Sequence, residues 1–162
     1  MKKNNFLNKL KKKEKLEIVE PSDEICSSYL EKANNCLTSA KLLLKNNLHE
    51  NSISMSYYAM YNSLLSLLFK SGIKSENHSG SILLLKVLFN KNNLFKIISH
   101  AKKERIDKQY YVTTDENEIT KESVKELLNE AEDFLLKIKL FIKNLNNEDI
   151  IKIKKDFSTL IN

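Results

Sequence analysis

The sequence predicts an all-α protein, an up-and-down helical bundle of three long helices plus shorter helices. Two observations carry this. The 162 residues include only two glycines and one proline, too few turn formers for a strand-rich fold with its many tight connections. Apolar residues also recur at alternating steps of four and three over several long stretches, the spacing that lines one face of a helix. A chain of this length can bury a core of its own, and 41% hydrophobic with 30% charged residues is ordinary for a globular protein.

Residues 1–20 read as a flexible basic N-terminal arm ahead of a single helical domain over 21–162. Lys11-Lys12-Lys13 gives no reason for order, although Phe6, Leu7 and Leu10 form one apolar turn that could dock. Pro21 and a start signal at Ser22 or Asp23 open the first long helix, expected over 22–46. Its seam is Cys26, Leu30, Ala33, Leu37, Ala40 and Leu44. A second helix is expected over 49–71, ending at Gly72, which suits the left-handed C-terminal position. It carries a bulky stripe (Tyr57, Met60, Tyr61, Leu64, Leu65, Leu68) and a small one (Ser52, Ser56, Ala59, Ser63, Ser66). Two patterned faces place this helix at the centre of its bundle.

Residues 71–80 read as a loop that contains His78. A third helix follows at about 80–91. A fourth starts at Asn92 or Asn93 and runs toward Arg105, and 110–119 form a second loop. Thr120 is a suitable N-cap for the most regular helix, through Val124, Leu128, Ala131, Leu135, Ile138, Ile142 and Leu145. A last amphipathic helix is expected over 148–161.

Several function classes are excluded or weakened. No apolar run approaches the roughly 20 residues of a membrane span, and no signal-peptide pattern is present, so the expected location is the cytoplasm. Cys26 and Cys36 read as buried free thiols. His49, His78 and His100 share no ligand spacing with one another or with a cysteine, so no metal is expected. Isolated glycines build no phosphate loop, and no cofactor is expected. The net charge of +6 is uninformative about a polynucleotide. Seven lysines against three glutamates put +4 of it in residues 1–20. The abundance of Lys, Asn and Ile also points to a compositional bias that devalues lysine counts.

One residue stands apart. Arg105 is the only arginine among 27 basic residues. Its planar fork grips a phosphate or carboxylate with two parallel bonds, which a lysine cannot do. Lys102, Lys103 and Lys108 surround it, and Tyr110 and Tyr111 follow, so an aromatic ring stands ready to stack beside a gripped phosphate. A bracing arginine at a helix end is the structural alternative. Tyr57 and Tyr61 fall on the core face of their helix, and Tyr58 is displaced toward a pocket. His78 has the pKa range for proton transfer or phosphate contact, although a lone histidine there also serves as a capping residue.

These pieces together resemble the HEPN superfamily (higher eukaryotes and prokaryotes nucleotide-binding domains), in its small stand-alone prokaryotic branch, over about residues 22–145. The carrying motifs are Ser56-Tyr57-Tyr58-Ala59-Met60-Tyr61 with Leu64 to Leu68, then His78-Ser79-Gly80. Arg105 followed by Tyr110 is the third, and Ala131-Glu132-Asp133-Phe134 the last. The resemblance implies a helical bundle that forms a homodimer and a partnership with a minimal nucleotidyltransferase antitoxin. It also implies, for several members, metal-independent RNA cleavage by an Arg-x4-6-His motif shared across two protomers. This chain departs from that motif: Tyr110, Tyr111 and Val112 occupy the places of the histidine. Tyrosine, with an ordinary pKa of about 10, is a poor general base at neutral pH.

Three readings follow. The first is a non-catalytic domain that binds a nucleotide, RNA or a nucleotidyltransferase partner through Arg105, Tyr110, Tyr111, Lys102, Tyr58 and His78. The second is a metal-independent endoribonuclease toxin with Arg105, His78 and Tyr110 as its catalytic candidates. The third is a structural interaction module braced by Arg105.

Overall fold

The structure, a computed structural model, describes the backbone of residues 2–110 and 119–161, and the side chains of residues 5–108 and 119–161. Among the described residues it contains seven helices and one small sheet. In chain order these are α1 (Lys2–Lys12), β1 (Leu16–Ile18), α2 (Asp23–Lys45), α3 (His49–Lys70), β2 (Ile73–Ser75), α4 (His78–Val87), α5 (Asn92–Tyr110), α6 (Lys121–Asn144) and α7 (Asn147–Leu160).

Local chemistry sets the helix ends. The Ser22 hydroxyl accepts from the Ile25 N–H and the Thr120 hydroxyl from the Ser123 N–H, each satisfying a donor that the first turn leaves open. Asn146 and Asp149 form a reciprocal capping box on α7. Asn47 takes a left-handed φ of 59° and turns α2 back along α3 as a helical hairpin.

Helix α3 lies at the centre, against α2, α5 and α6. Tyr57, Met60, Leu64, Leu67 and Leu68 are fully buried on it. Its small stripe is buried too. Ser63 and Ser66 turn their hydroxyls onto the Met60 and Ser63 carbonyls, and Ser52 donates across to Ala40 O of α2 at 2.8 Å. Internal satisfaction of those three hydroxyls lets most of the serine face sit in a core, while Ser56 Oγ is buried without a hydrogen-bond partner. Val124, Ala131, Phe134 and Ile138 supply the facing surface of α6.

The N-terminal segment differs from the flexible arm expected for residues 1–20. Leu7, Leu10 and Leu16 are buried in the main core. Lys11, Lys12 and Lys13 stay exposed beside them. Burying a leucine yields about 1.5–3 kcal/mol, and three of them, together with the backbone hydrogen bonds of α1 and of the β1–β2 pair, oppose the entropy of ordering the segment. β1 then pairs antiparallel with β2 in the register Leu16↔Ser75, Glu17↔Lys74 and Ile18↔Ile73. Neither strand is visible in the periodicity, because each is only three residues long.

Gly72 permits this closure. Its φ is +73°, and a Cβ there would stand 2.8 Å from the Val19 carbonyl oxygen. Two helix limits also move. α4 begins at His78, so this residue is the first of a helix and not part of a loop. α5 runs on to Tyr110, which places Arg105 inside a helix.

Candidate functional site

Three helices bring the conspicuous polar residues together. α3 contributes Tyr57, Tyr58 and Tyr61. α4 contributes His78 and Ser79 at its first turn. α5 contributes Lys102 and Arg105, three residues apart and therefore on one helical face.

The Tyr57 hydroxyl lies 2.6 Å from His78 Nδ1. The Tyr61 ring stacks on the His78 imidazole, with centroids 3.8 Å apart and planes 10° from parallel. The Tyr61 hydroxyl faces Ser81 Oγ at 3.4 Å. His78 is thus held at an edge and on a face. The sequence predicted core tyrosines with hydroxyls bonded at the core boundary, and both residues are of that kind. It contained no sign that His78 is their partner. Asn77 positions the histidine by capping α4, accepting from the Gly80 N–H at 2.8 Å. Gly80 leaves room for α1, since a Cβ there would stand 2.5 Å from Leu10 Cδ1.

Arg105 reaches the same group from the other side. Its guanidinium carbon is 5.0 Å from the Tyr58 ring centroid and 5.6 Å from that of Tyr57, both within cation–π range. Its Nε is buried and has no hydrogen-bond partner. Among the described residues no carboxylate pairs with it. Lys102 Nζ donates to Ser79 Oγ at 2.6 Å. Tyr58 is half-buried. The Tyr110 side chain lies outside the described residues, as does all of Tyr111.

Electrostatics follow from this like-charge grouping. His78 is pulled below its ordinary pKa by burial, then by the Lys102 and Arg105 charges. Lys102 is lowered by burial and by Arg105. Tyr57 is pushed well up, chiefly by burial, and stays protonated. With Tyr57 as donor to Nδ1, the ring proton of neutral His78 sits on Nε2.

Arg105 and Tyr58 also close one end of a cleft of about 670 Å³ between α2 and the first half of α3. That volume lies within the roughly 300–1,000 Å³ usual for small-ligand sites. Leu42, Leu43 and Met55 line it, and Glu50 and Asn51 close the far end. None of these five was singled out by periodicity, because the cleft exists only once α2 and α3 are packed. Among the described residues, no three or more His, Cys, Asp or Glu side chains gather to hold a metal. Nor is any helix among them long and apolar enough to cross a membrane. Both thiols are free, and burial raises the pKa of each.

The HEPN domain model covers residues 26–141. The chain therefore belongs to the HEPN family. It is 24% identical over 123 residues to "Putative toxin MJ0605" of Methanocaldococcus jannaschii, covering 75% of this chain and 92% of that one. It is 29% identical over 128 residues to a "UPF0332 protein" of Thermotoga maritima, covering 76% and 95%. A second Methanocaldococcus jannaschii protein, "Putative toxin MJ0142", is 30% identical over 132 residues, covering 78% and 86%.

Proposed function

We propose that this protein is a phosphate-binding HEPN domain that acts on or with RNA or a nucleotide, as the toxin-side component of a toxin–antitoxin pair in the cytoplasm. One observation carries the reading. Arg105 presents a guanidinium over two tyrosine rings at the mouth of a cleft, with Nε buried and unpartnered and no carboxylate in attendance among the described residues. A buried, unpaired donor of this kind is unfavourable in the empty protein. A phosphate in the cleft engages the same guanidinium fork, and Lys102 adds a second cation beside His78. The toxin context rests on the names of two relatives. The homodimer and the nucleotidyltransferase antitoxin belong to the same proposal.

The test is RNA binding followed by fluorescence anisotropy in chelator. Binding should weaken steeply with salt and by about tenfold or more in Arg105→Lys, because a point charge cannot replace the fork. Equal affinity of wild type and Arg105→Ala for RNA and mononucleotides would leave only a helical interaction module.

A second reading, metal-independent RNA cleavage, has its own supporting observation. His78 is neutral at physiological pH, is oriented by Tyr57, and shares the cluster with Arg105. In the tautomer whose Nδ1–H donates to the Tyr57 oxygen, Nε2 is a free acceptor and offers a general base that the Arg-x4-6-His spacing does not supply here. Cleavage in chelator, lost in both His78→Gln and Arg105→Ala, would establish that reading over pure binding.

A further inference from the structure

We infer that the α2–α3 cleft reads the base of the bound nucleotide through Glu50, and that the base it favours is guanine. This rests on Arg105 as the phosphate holder proposed above and adds a specificity to that site. Tyr58 and Glu50 lie on the same cleft wall, eight residues apart along α3, a separation of ~12 Å at 1.5 Å per residue. A nucleoside monophosphate bridges such a span from its phosphate to its Watson–Crick edge. The stretch between carries Leu42, Leu43 and Met55 on its walls beside the two small serines Ser39 and Ser54, and suits the flat faces of a base. The far end is polar, with Glu50 and Asn51.

An ionised carboxylate only accepts hydrogen bonds. Guanine presents N1–H and N2–H as two adjacent donors that a carboxylate can take side by side. Adenine and cytosine present one amino group each. Uracil presents a single N3–H donor flanked by two carbonyls that a carboxylate repels. Among the described residues Glu50 has no ion-pair partner to satisfy it, and it is exposed at the cleft end. A carboxylate in the first turn of a helix also complements the helix dipole. That role confers no preference among bases, so selectivity separates the two.

The experiment is calorimetric titration of the full chain with GMP, UMP and guanosine, repeated with Glu50→Gln and Arg105→Lys. A second arm uses a uridine pentamer with and without one central guanosine, and tells a free nucleotide from a base within RNA. GMP or the guanosine-containing pentamer should bind roughly tenfold or more tightly than its uridine counterpart. Glu50→Gln should remove most of that ratio, weakening guanine ligands and leaving uridine ligands unweakened or slightly tighter. Arg105→Lys should weaken both nucleotides alike and leave guanosine nearly untouched. Equal binding of guanine and uracil ligands, or a preference that survives Glu50→Gln, overturns the base-reading role but leaves phosphate binding standing. Absence of binding to every ligand overturns both.

Discussion

Two groups of charged side chains sit next to each other along the chain and are arranged in opposite ways. In the β1–β2 clamp the signs alternate. Lys15 meets Glu76 at 2.8 Å, and Lys74 meets Glu17 at 3.0 Å and Glu76 at 3.2 Å. In the α4–α5 cluster the two cations Lys102 and Arg105 stand together beside a neutral His78. The titration directions follow. Glu76 is held low by Lys15 and Lys74, and Lys74 is held high by Glu17 and Glu76. His78 and Lys102 are both held low, first by burial and then by neighbouring cations. The clamp is electrostatically complete in the free protein. The cluster is not paired with a carboxylate at Arg105 among the described residues, and under the proposal above an anion completes it. Exposed ion pairs contribute little to stability, so the clamp owes its order mainly to Leu7, Leu10, Leu16 and Ile73 beneath it.

The comparison can be broken at its apolar base. Leu7→Ala removes a fully buried side chain. It should cost about 2–5 kcal/mol, seen as a lower urea midpoint and faster amide exchange in β1 and β2. Gly72→Ala comes next. The left-handed φ and the close Val19 carbonyl together should cost roughly 2 kcal/mol or more. Gly80→Ala should be milder, because only the flexible end of Leu10 must yield.

The cluster is sharpened by titration. Lys102→Met removes a cation facing His78, so the histidine pKa should rise toward its ordinary value of 6.5 in an NMR titration. The sign for stability follows from the lowered folded-state pKa. The contribution of neutral His78 is complete above pH 6.5 and is lost as pH falls through the folded value. Wild type should therefore weaken on mild acidification more than His78→Gln does. The smallest effect belongs to the clamp charges. Glu76→Gln should barely shift Tm at neutral pH, and its effect should vanish in acid, where the wild-type carboxylate is itself protonated.

Local signals were enough for most helices. Ser22 and Thr120 cap where their side chains allow, and Gly72 ends α3 in the left-handed conformation. The seam residues Cys26, Ala33 and Ala40 of α2, and Val124, Leu128, Ala131, Leu135 and Ile138 of α6, are buried. Those features depend on neighbours within one turn, which periodicity captures. The apolar turn Phe6, Leu7 and Leu10 hinted at docking, but its partner and the two short strands went unseen, because Leu16 pairs with Ser75 and Leu10 meets Gly80 across 59 and 70 positions of chain.

The candidate site divides along the same line. The lone arginine, the tyrosine helix and the His-x-Gly turn stand out in one dimension, since unusual residue choice needs no coordinates to be noticed. That Tyr57 grips His78, that Tyr61 stacks on it, and that Arg105 spans Tyr57 and Tyr58 came only from packing α3, α4 and α5 together. Helical periodicity says which face a residue occupies but not which face of another helix it meets. The partners of these side chains, and with them the chemistry, are set by contacts 17 to 48 positions apart.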